Sequence, residues 1–175
     1  MTVMTILEIP DPRLRDVAVP VAAITDDTRT LIDDMFETMY DARGIGLAAT
    51  QVGVTQRVVV IDLQEPTEPE GDPVRDPQVF VNPELTWLSD EMACYNEGCL
   101  SIPEQYAEVE RPARCRVTWL DRNGETHDEE LDGLMATCIQ HEIDHLNGVL
   151  FIDHVSRLKR DMIVKKLNKA RKAAA

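Results

Sequence analysis

Apolar residues recur at three- and four-residue spacing between positions 26 and 43, and this period predicts an amphipathic helix. Either Thr25 or Asp26 can cap its first turn, because short polar side chains accept hydrogen bonds from the backbone N–H groups there. Gly44 comes directly after the pattern and is a natural end point for the helix. The apolar positions of this predicted helix are Leu31, Ile32, Met35, Phe36, Met39 and Tyr40.

A second helical pattern covers residues 132–147, with Asp132 as a capping residue and Gly148 at the exit. Two of its faces carry apolar or histidine side chains, so we expect this helix to be buried on both sides. A third, C-terminal helix is expected after Ser156, which can cap its start. The first buried face contains Leu134, Cys138, His141 and His145, and the second contains Met135, Ile139, Ile143 and Leu146.

Four segments rich in β-branched or alternating apolar residues predict strands in the middle of the chain. The last two flank Asn123-Gly124, a dipeptide typical of a tight hairpin turn. Residues 64–78 hold four prolines and several acidic residues, which indicates a surface loop. Because these strands follow one helix and precede two others, the order predicts an α+β fold, with antiparallel or mixed sheets packed around the helix of residues 132–147. The predicted strands cover residues 56–63, 79–88, 114–121 and 125–131.

The length and composition of the chain indicate which structural class of protein it belongs to. It has 175 residues, 43% of them hydrophobic and 29% charged, which fits one globular domain over residues 1–175. Its longest apolar runs are too short to cross a bilayer, and its N-terminus lacks the pattern of a signal peptide. We therefore expect a cytoplasmic protein, without a membrane partner, whose four cysteines stay reduced.

The net charge of −14 is unevenly distributed along the chain. Residues 157–175 contain eight lysines and arginines and one acid, whereas the remainder of the chain is strongly acidic. An acidic body repels nucleic acid, so we expect no DNA partner. The basic tail could dock on a polyanion such as ribosomal RNA, although a solvated C-terminal helix explains the same composition more simply.

The candidate chemistry lies in the segment from His141 to His145. The two histidines are four residues apart, so on a helix both imidazoles can reach one metal ion. Glu142 lies beside them, where a general base for a water molecule belongs. An ordinary amphipathic helix with two surface histidines is the alternative, but the two buried faces predicted above weigh against it.

A catalytic metal site of this kind needs three protein ligands and one open position. No histidine or glutamate stands downstream at the spacing known from metalloproteases, and Cys138 is about 10.5 Å along the helix axis from His145. The third ligand is therefore expected upstream, and Cys99, which follows a glycine, is the best candidate. The other upstream candidates are Cys94, Cys115 and His127.

Three segments of the chain resemble the three motifs of the peptide deformylase family. They are residues 44–51 (GIGLAATQ), residues 97–101 (EGCLS) and residues 140–145 (QHEIDH), and they match in order and spacing. The resemblance runs from about residue 6 to the C-terminal helix. It implies a hydrolase that removes the formyl group from the N-terminal methionine of nascent peptides and releases formate. It also implies one divalent metal ion, Fe(II) under physiological conditions, with Zn(II), Ni(II) or Co(II) as possible substitutes.

The resemblance also implies roles for individual residues. The metal ligands would be Cys99, His141 and His145, Glu142 would move protons, and Gln51 and the Leu100 backbone N–H would stabilise the oxyanion. From the residues alone, Gly44 and Gly46 either serve only as turn glycines or let a peptide lie along residues 44–47 as an added strand, with its methionine side chain in an apolar pocket. Glu97 is expected to pair with Arg111 at an exposed position, where such pairs contribute little. The pocket residues would be Ile45, Leu134 and Cys138.

Two other functions use the same helix. A zincin-type endopeptidase would need a downstream third ligand, which the sequence lacks. A structural metal domain would need a fourth protein ligand, such as Cys94 or His154.

Overall fold

The computed structural model describes residues 1–174, and the elements in this range give the α+β class predicted from the sequence. The helices are α1 (Asp26–Asp41), α2 (Gly133–Leu146) and α3 (Arg157–Ala174). Short 3-10 helices cover Pro12–Arg15, Ala49–Val52 and Phe151–His154. The strands are β1 (Gly46–Ala48), β2 (Val58–Ile61), β3 (Gln78–Leu88), β4 (Met92–Cys99), β5 (Ile102–Pro112), β6 (Cys115–Leu120) and β7 (Thr126–Leu131).

Five strands form one antiparallel sheet in the order β1-β2-β3-β6-β7, and β4 and β5 form a separate antiparallel hairpin. The predicted turn at Asn123-Gly124 joins β6 to β7, and Gly124 has the left-handed backbone (φ 81°) that such a turn requires. Near Asn82, the pairing of β3 with β6 shifts register. The β4–β5 hairpin was not predicted.

Strand β2 of the five-stranded sheet is buried on both faces by helices. All four residues of β2 are buried. Val59 and Ile61 belong to a core shared with Ile139 and Ile143 of α2, while Val58 and Val60 belong to a core shared with α1. The prediction that α2 is buried on two sides is confirmed, because its histidine-bearing face lies under the β4–β5 hairpin. Nine of its fourteen residues are buried.

The ends of the helices agree with the sequence in part. Thr25 caps α1, since its Oγ1 accepts a hydrogen bond from the Thr28 backbone N–H, and Ser156 Oγ accepts one from the Lys159 N–H at the start of α3. Asp132 stands at the start of α2, but its side chain makes no capping bond. The turn after α1 is made by Arg43, with φ 59°, and not by Gly44.

The loop between β2 and β3 is tied to the fold by one buried carboxylate. Asp62 Oδ1 accepts hydrogen bonds from the backbone N–H groups of Gln64 and Asp76, at 3.0 Å each. Its second oxygen accepts a hydrogen bond from the Tyr40 hydroxyl, and the Arg75 guanidinium lies 4.1 Å from the centre of the Tyr40 ring. The two ends of the loop are therefore fixed to α1 and to each other.

In α3, Ile163 and Leu167 are buried against the core beside β5, while the basic side chains remain largely exposed. Over residues 1–174, helices that are both long and apolar enough to span a membrane are absent.

Candidate metal centre

Three potential metal ligands meet between α2 and the β4–β5 hairpin. The ligand atoms of Cys99, His141 and His145 all lie within 4.8 Å of one another, and the Cys99 Sγ is 3.3 Å from the His145 Nε2. The helix brings the two imidazoles together because they are one turn apart. Cys99 reaches them from the end of β4, where the hairpin register shifts between Gly98 and Cys99.

The chemistry of this set fits a catalytic metal ion. One sulfur and two imidazole nitrogens are borderline-to-soft ligands, and three protein ligands leave a position open. Two buried side-chain atoms have no hydrogen-bond partner among the described residues, Glu142 Oε2 and His145 Nδ1. Because buried polar atoms normally have partners, the unpaired oxygen of Glu142 beside the cluster fits a site that takes up an ion and water.

His141 is oriented by a buried ion pair. Its Nδ1 lies 2.8 Å from Glu97 Oε1, so the ring donates to the carboxylate and directs its other nitrogen toward the cluster. Arg111 binds Glu97 through two hydrogen bonds of 2.7 and 3.1 Å. The sequence predicted the Glu97–Arg111 pair but placed it at an exposed position. That position is wrong, because both side chains are only 5% exposed.

Burial and hydrogen bonds shift the pKa values of the cluster in opposite directions. Burial raises the pKa of Glu142 to about 7. Burial also lowers the pKa of His145 well below its ordinary value. Burial acts to lower the pKa of His141, but hydrogen bonds to Cys99 and Glu97 outweigh it and raise that pKa to about 10. Because a metal ion binds neutral imidazole, metal uptake and protonation compete at His141.

Gln51 points its side-chain amide at the cluster. Its Oε1 accepts a hydrogen bond from the Ala48 N–H (2.9 Å). Its Nε2 donates to Ser101 Oγ at 3.0 Å and lies 3.5 Å from the Cys99 Sγ. The Ser101 backbone N–H lies 3.4 Å from the same sulfur. In the sequence, Ser101 is only the last residue of a motif, and its contact with Gln51 was not predicted.

A cavity of about 560 Å³ opens beside the cluster. Every site residue expected from the sequence lines it except His145, which lies behind, 1% exposed. Gly46 fits closely here, since a Cβ at this position would lie 2.8 Å from Glu142 Oε1. The cavity also has wall residues that the sequence did not indicate, Arg43, Tyr95 and Tyr106. The expected residues that line it are Gly44, Ile45, Gly46, Gln51, Glu97, Cys99, Leu100, Leu134, Cys138, His141 and Glu142.

Comparison with known proteins gives one consistent result. The sequence model of the polypeptide deformylase family matches residues 3–161. A peptide deformylase from Rhizorhabdus wittichii is 65% identical over 99% of this chain and 98% of its own length, and one from Zymomonas mobilis is 59% identical over 98% and 97%.

Solved structures agree with the sequence relatives. The crystal structure of a peptide deformylase from Legionella pneumophila has a TM-score of 0.89 and 44% identity, covering 99% of this chain and 98% of the other. The Ehrlichia chaffeensis peptide deformylase in complex with actinonin has a TM-score of 0.89 and 41% identity, with coverage of 97% and 98%. The chain therefore belongs to the peptide deformylase family and is an enzyme that deformylates N-formyl-methionyl peptides.

Proposed function

We propose that this enzyme uses one metal ion, held by Cys99, His141 and His145, to hydrolyse the formyl group of nascent N-formyl-methionyl peptides. The observation that carries the proposal is the convergence of these three ligands within 4.8 Å, beside the buried carboxylate of Glu142. When bound, the ion would act as a Lewis acid, which lowers the pKa of water and polarises the formyl carbonyl. The residues 1–175 would act as one catalytic domain around this site.

The protein groups supply proton transfer and oxyanion stabilisation. Glu142 accepts a proton from the attacking water as oxygen bonds to the formyl carbon. It passes that proton to the leaving nitrogen as the C–N bond breaks, which gives formate and a free amine. A carboxylate whose pKa is about 7 is suited to both transfers near neutral pH. Gln51 Nε2 and the Leu100 backbone N–H donate hydrogen bonds to the oxyanion that forms between these steps.

The edge of the five-stranded sheet supports a mode of substrate binding. β1 pairs only with β2, so its outer side is an open edge next to the cavity. A peptide can add to this edge as an extra strand along Gly44–Leu47, because the absence of side chains at Gly44 and Gly46 permits close approach. The methionine side chain would then contact Ile45, Leu134 and Cys138, all of which line the cavity.

We propose Fe(II) as the physiological ion, with Zn(II), Ni(II) or Co(II) able to occupy the same site. A thiolate and two imidazoles can hold any of these ions, so the ligand set alone does not select one. Metal analysis of anaerobically purified protein, paired with formate release, tests the assignment. High activity in protein that carries only zinc would contradict it.

The exposed basic side chains of α3 support a second proposal, docking on ribosomal RNA. Nascent peptides emerge at the ribosome, and cationic side chains bind phosphate in a salt-dependent way. Cosedimentation with ribosomes should be lost when residues 157–175 are removed, and retention of binding would contradict the proposal.

The rival functions are separated by direct assays. A formate-release assay with formyl-Met-Ala-Ser should give turnover, and the same peptide with an acetyl group should be a poor substrate. Cleavage of internal peptide bonds would favour an endopeptidase. A structural metal domain needs a fourth protein ligand, whereas residues 1–174 bring only Cys99, His141 and His145 together as a candidate set.

Glu142→Ala should retain the metal and lose most turnover, whereas near-normal turnover would contradict its role.

A further inference from the structure

A continuous chain of hydrogen bonds runs from the metal-ligand candidate His141 to the protein surface. His141 contacts Glu97, Glu97 contacts Arg111, and Arg111 Nη1 donates to Asp144 Oδ2 at 2.8 Å. The same Asp144 oxygen lies 2.8 Å from His154 Nε2. These side chains come from β4, β5, α2 and the 3-10 helix Phe151–His154, so the chain joins four elements around the site.

The geometry fixes the direction of each hydrogen bond. A carboxylate only accepts, so Arg111 and His154 Nε2–H both donate to Asp144, and His141 Nδ1–H donates to Glu97. Arg111 is 5% exposed and has Nε, Nη1 and Nη2 all engaged. Its position is therefore held at both ends, by Glu97 on one side and by Asp144 on the other.

The charges along this chain are unequal. Glu97 and Asp144 carry two negative charges against the single positive charge of Arg111, which leaves a net negative charge behind the His141 ring. A negative charge at Nδ1–H increases the basicity of Nε2 and favours a cation on that side of the ring. Without Asp144, the full charge of Arg111 would fall on Glu97, and the support of His141 would weaken.

We propose that Asp144 and His154 are positioning residues that raise the affinity of the centre for its metal ion, acting on His141 through Arg111 and Glu97. The inference rests on the proposed metal site and adds a structural origin for its affinity. Among the described residues, the Asp144 side chain forms hydrogen bonds with Arg111 and His154 and not with the ligand set. Its effect is transmitted by the arginine.

The test is an anaerobic titration of the metal-free protein with Co²⁺, followed by the visible absorption of the Co²⁺ complex. Asp144→Asn should raise the Kd for Co²⁺ about tenfold and shift the absorption bands, as loss of outer partners of metal-bound histidines does. The matched control is Asp153→Asn. Asp153 is equally exposed (23%) and also pairs with an arginine, Arg15, but it has no bond to the chain behind His141.

His154 supplies an independent variant at the surface, so the test does not depend on the folding of Asp144→Asn. His154→Leu should weaken Co²⁺ binding severalfold, and His154→Gln, whose amide N–H can donate from nearly the same place, should restore it. The inference is overturned if Asp144→Asn and His154→Leu bind Co²⁺ as Asp153→Asn does, with unchanged spectra. Failure of the wild-type protein to bind one Co²⁺ with a thiolate charge-transfer band would instead overturn the proposed metal site itself.

Discussion

The contact between Gly46 and Glu142 gives the sharpest test of the catalytic geometry. A Cβ at residue 46 would lie 2.8 Å from Glu142 Oε1, 3.2 Å from Cδ and 3.3 Å from Cγ. Gly46 lacks the left-handed backbone that excludes other residues, so Gly46→Ala introduces a methyl group without backbone strain. The methyl group and the carboxylate cannot both keep their positions.

The expected loss of activity follows from these distances. Comfortable contacts between heavy atoms are about 3.5–4.0 Å, so the carboxylate oxygen at 2.8 Å must retreat by roughly 0.7–1.2 Å. A misplacement of about 1 Å can cost about 10²-fold in rate. We expect Gly46→Ala to lower kcat by about 10- to 10²-fold. The free energy of unfolding should change by less than about 1 kcal/mol, because only the end of one side chain must move.

The assay is formate release from a formyl-Met peptide, with metal content and urea unfolding measured on the same preparations. A double-mutant cycle separates the mechanism from simple obstruction of the substrate. In a Glu142→Ala background the methyl group meets no carboxylate, so Gly46→Ala should have little further effect on kcat, while any rise in KM from hindered approach of the peptide should be the same in both backgrounds. A fully additive loss of kcat in the double mutant would refute the displacement of Glu142.

Three further predictions concern stability. Arg111→Met should lower the free energy of unfolding by about 3–5 kcal/mol, because it leaves Glu97 buried and unpaired, and Glu97→Gln should recover part of that loss; urea denaturation measures both. Burial, aided by a hydrogen bond to a carboxylate, raises the pKa of Tyr40 to about 12. The contribution of Tyr40 to the free energy of unfolding is therefore present below about pH 10 and is lost as the pH rises toward 12. In Tyr40→Phe, the fall of the thermal unfolding temperature over this pH range should be smaller. Gly124→Ala should cost about 1–2 kcal/mol through its left-handed backbone alone, and Gly148→Ala more, because its Cβ would lie 2.5 Å from a backbone oxygen.

Each of these predictions has a contrary outcome. If Arg111→Met lowers the free energy of unfolding only as much as the loss of an exposed ion pair does, water must reach Glu97. Equal costs for the two glycine variants would mean that the chain around Gly148 relaxes freely. An unchanged pH dependence after Tyr40→Phe would assign the alkaline loss of stability to other groups.

The helices and strand β6 could be predicted because their buried side chains recur with a regular period, and the turn after β6 could be predicted from Asn123-Gly124. In β6, the buried residues Cys115, Val117 and Trp119 alternate with more exposed ones, which is the period typical of a strand. The buried stripe of β5 is not wholly apolar. Its residues are Ala107, Val109 and Arg111, and the charged residue masks the alternation of apolar and polar positions in the sequence. Arg111 can be buried there because it pairs with Glu97.

The candidate site could be predicted only in part for a similar reason. The spacing of His141 and His145 is a local property of a helix, so sequence alone places them together. Cys99 was found because a third ligand was missing and because the motifs resemble a family. The link from His141 to His154 joins residues that are distant in sequence through side-chain contacts, and no period or spacing encodes it.

The Asp62 carboxylate has a consequence for engineering this enzyme. It accepts hydrogen bonds from the backbone at both ends of the β2–β3 loop, so the two ends of residues 65–75 stay in place whatever the sequence between them. The entropic cost of lengthening a closed loop grows only slowly, by about 0.6 kcal/mol for each doubling. This loop is therefore a permissive site for inserting a peptide tag or a small reporter domain while the catalytic centre keeps its geometry.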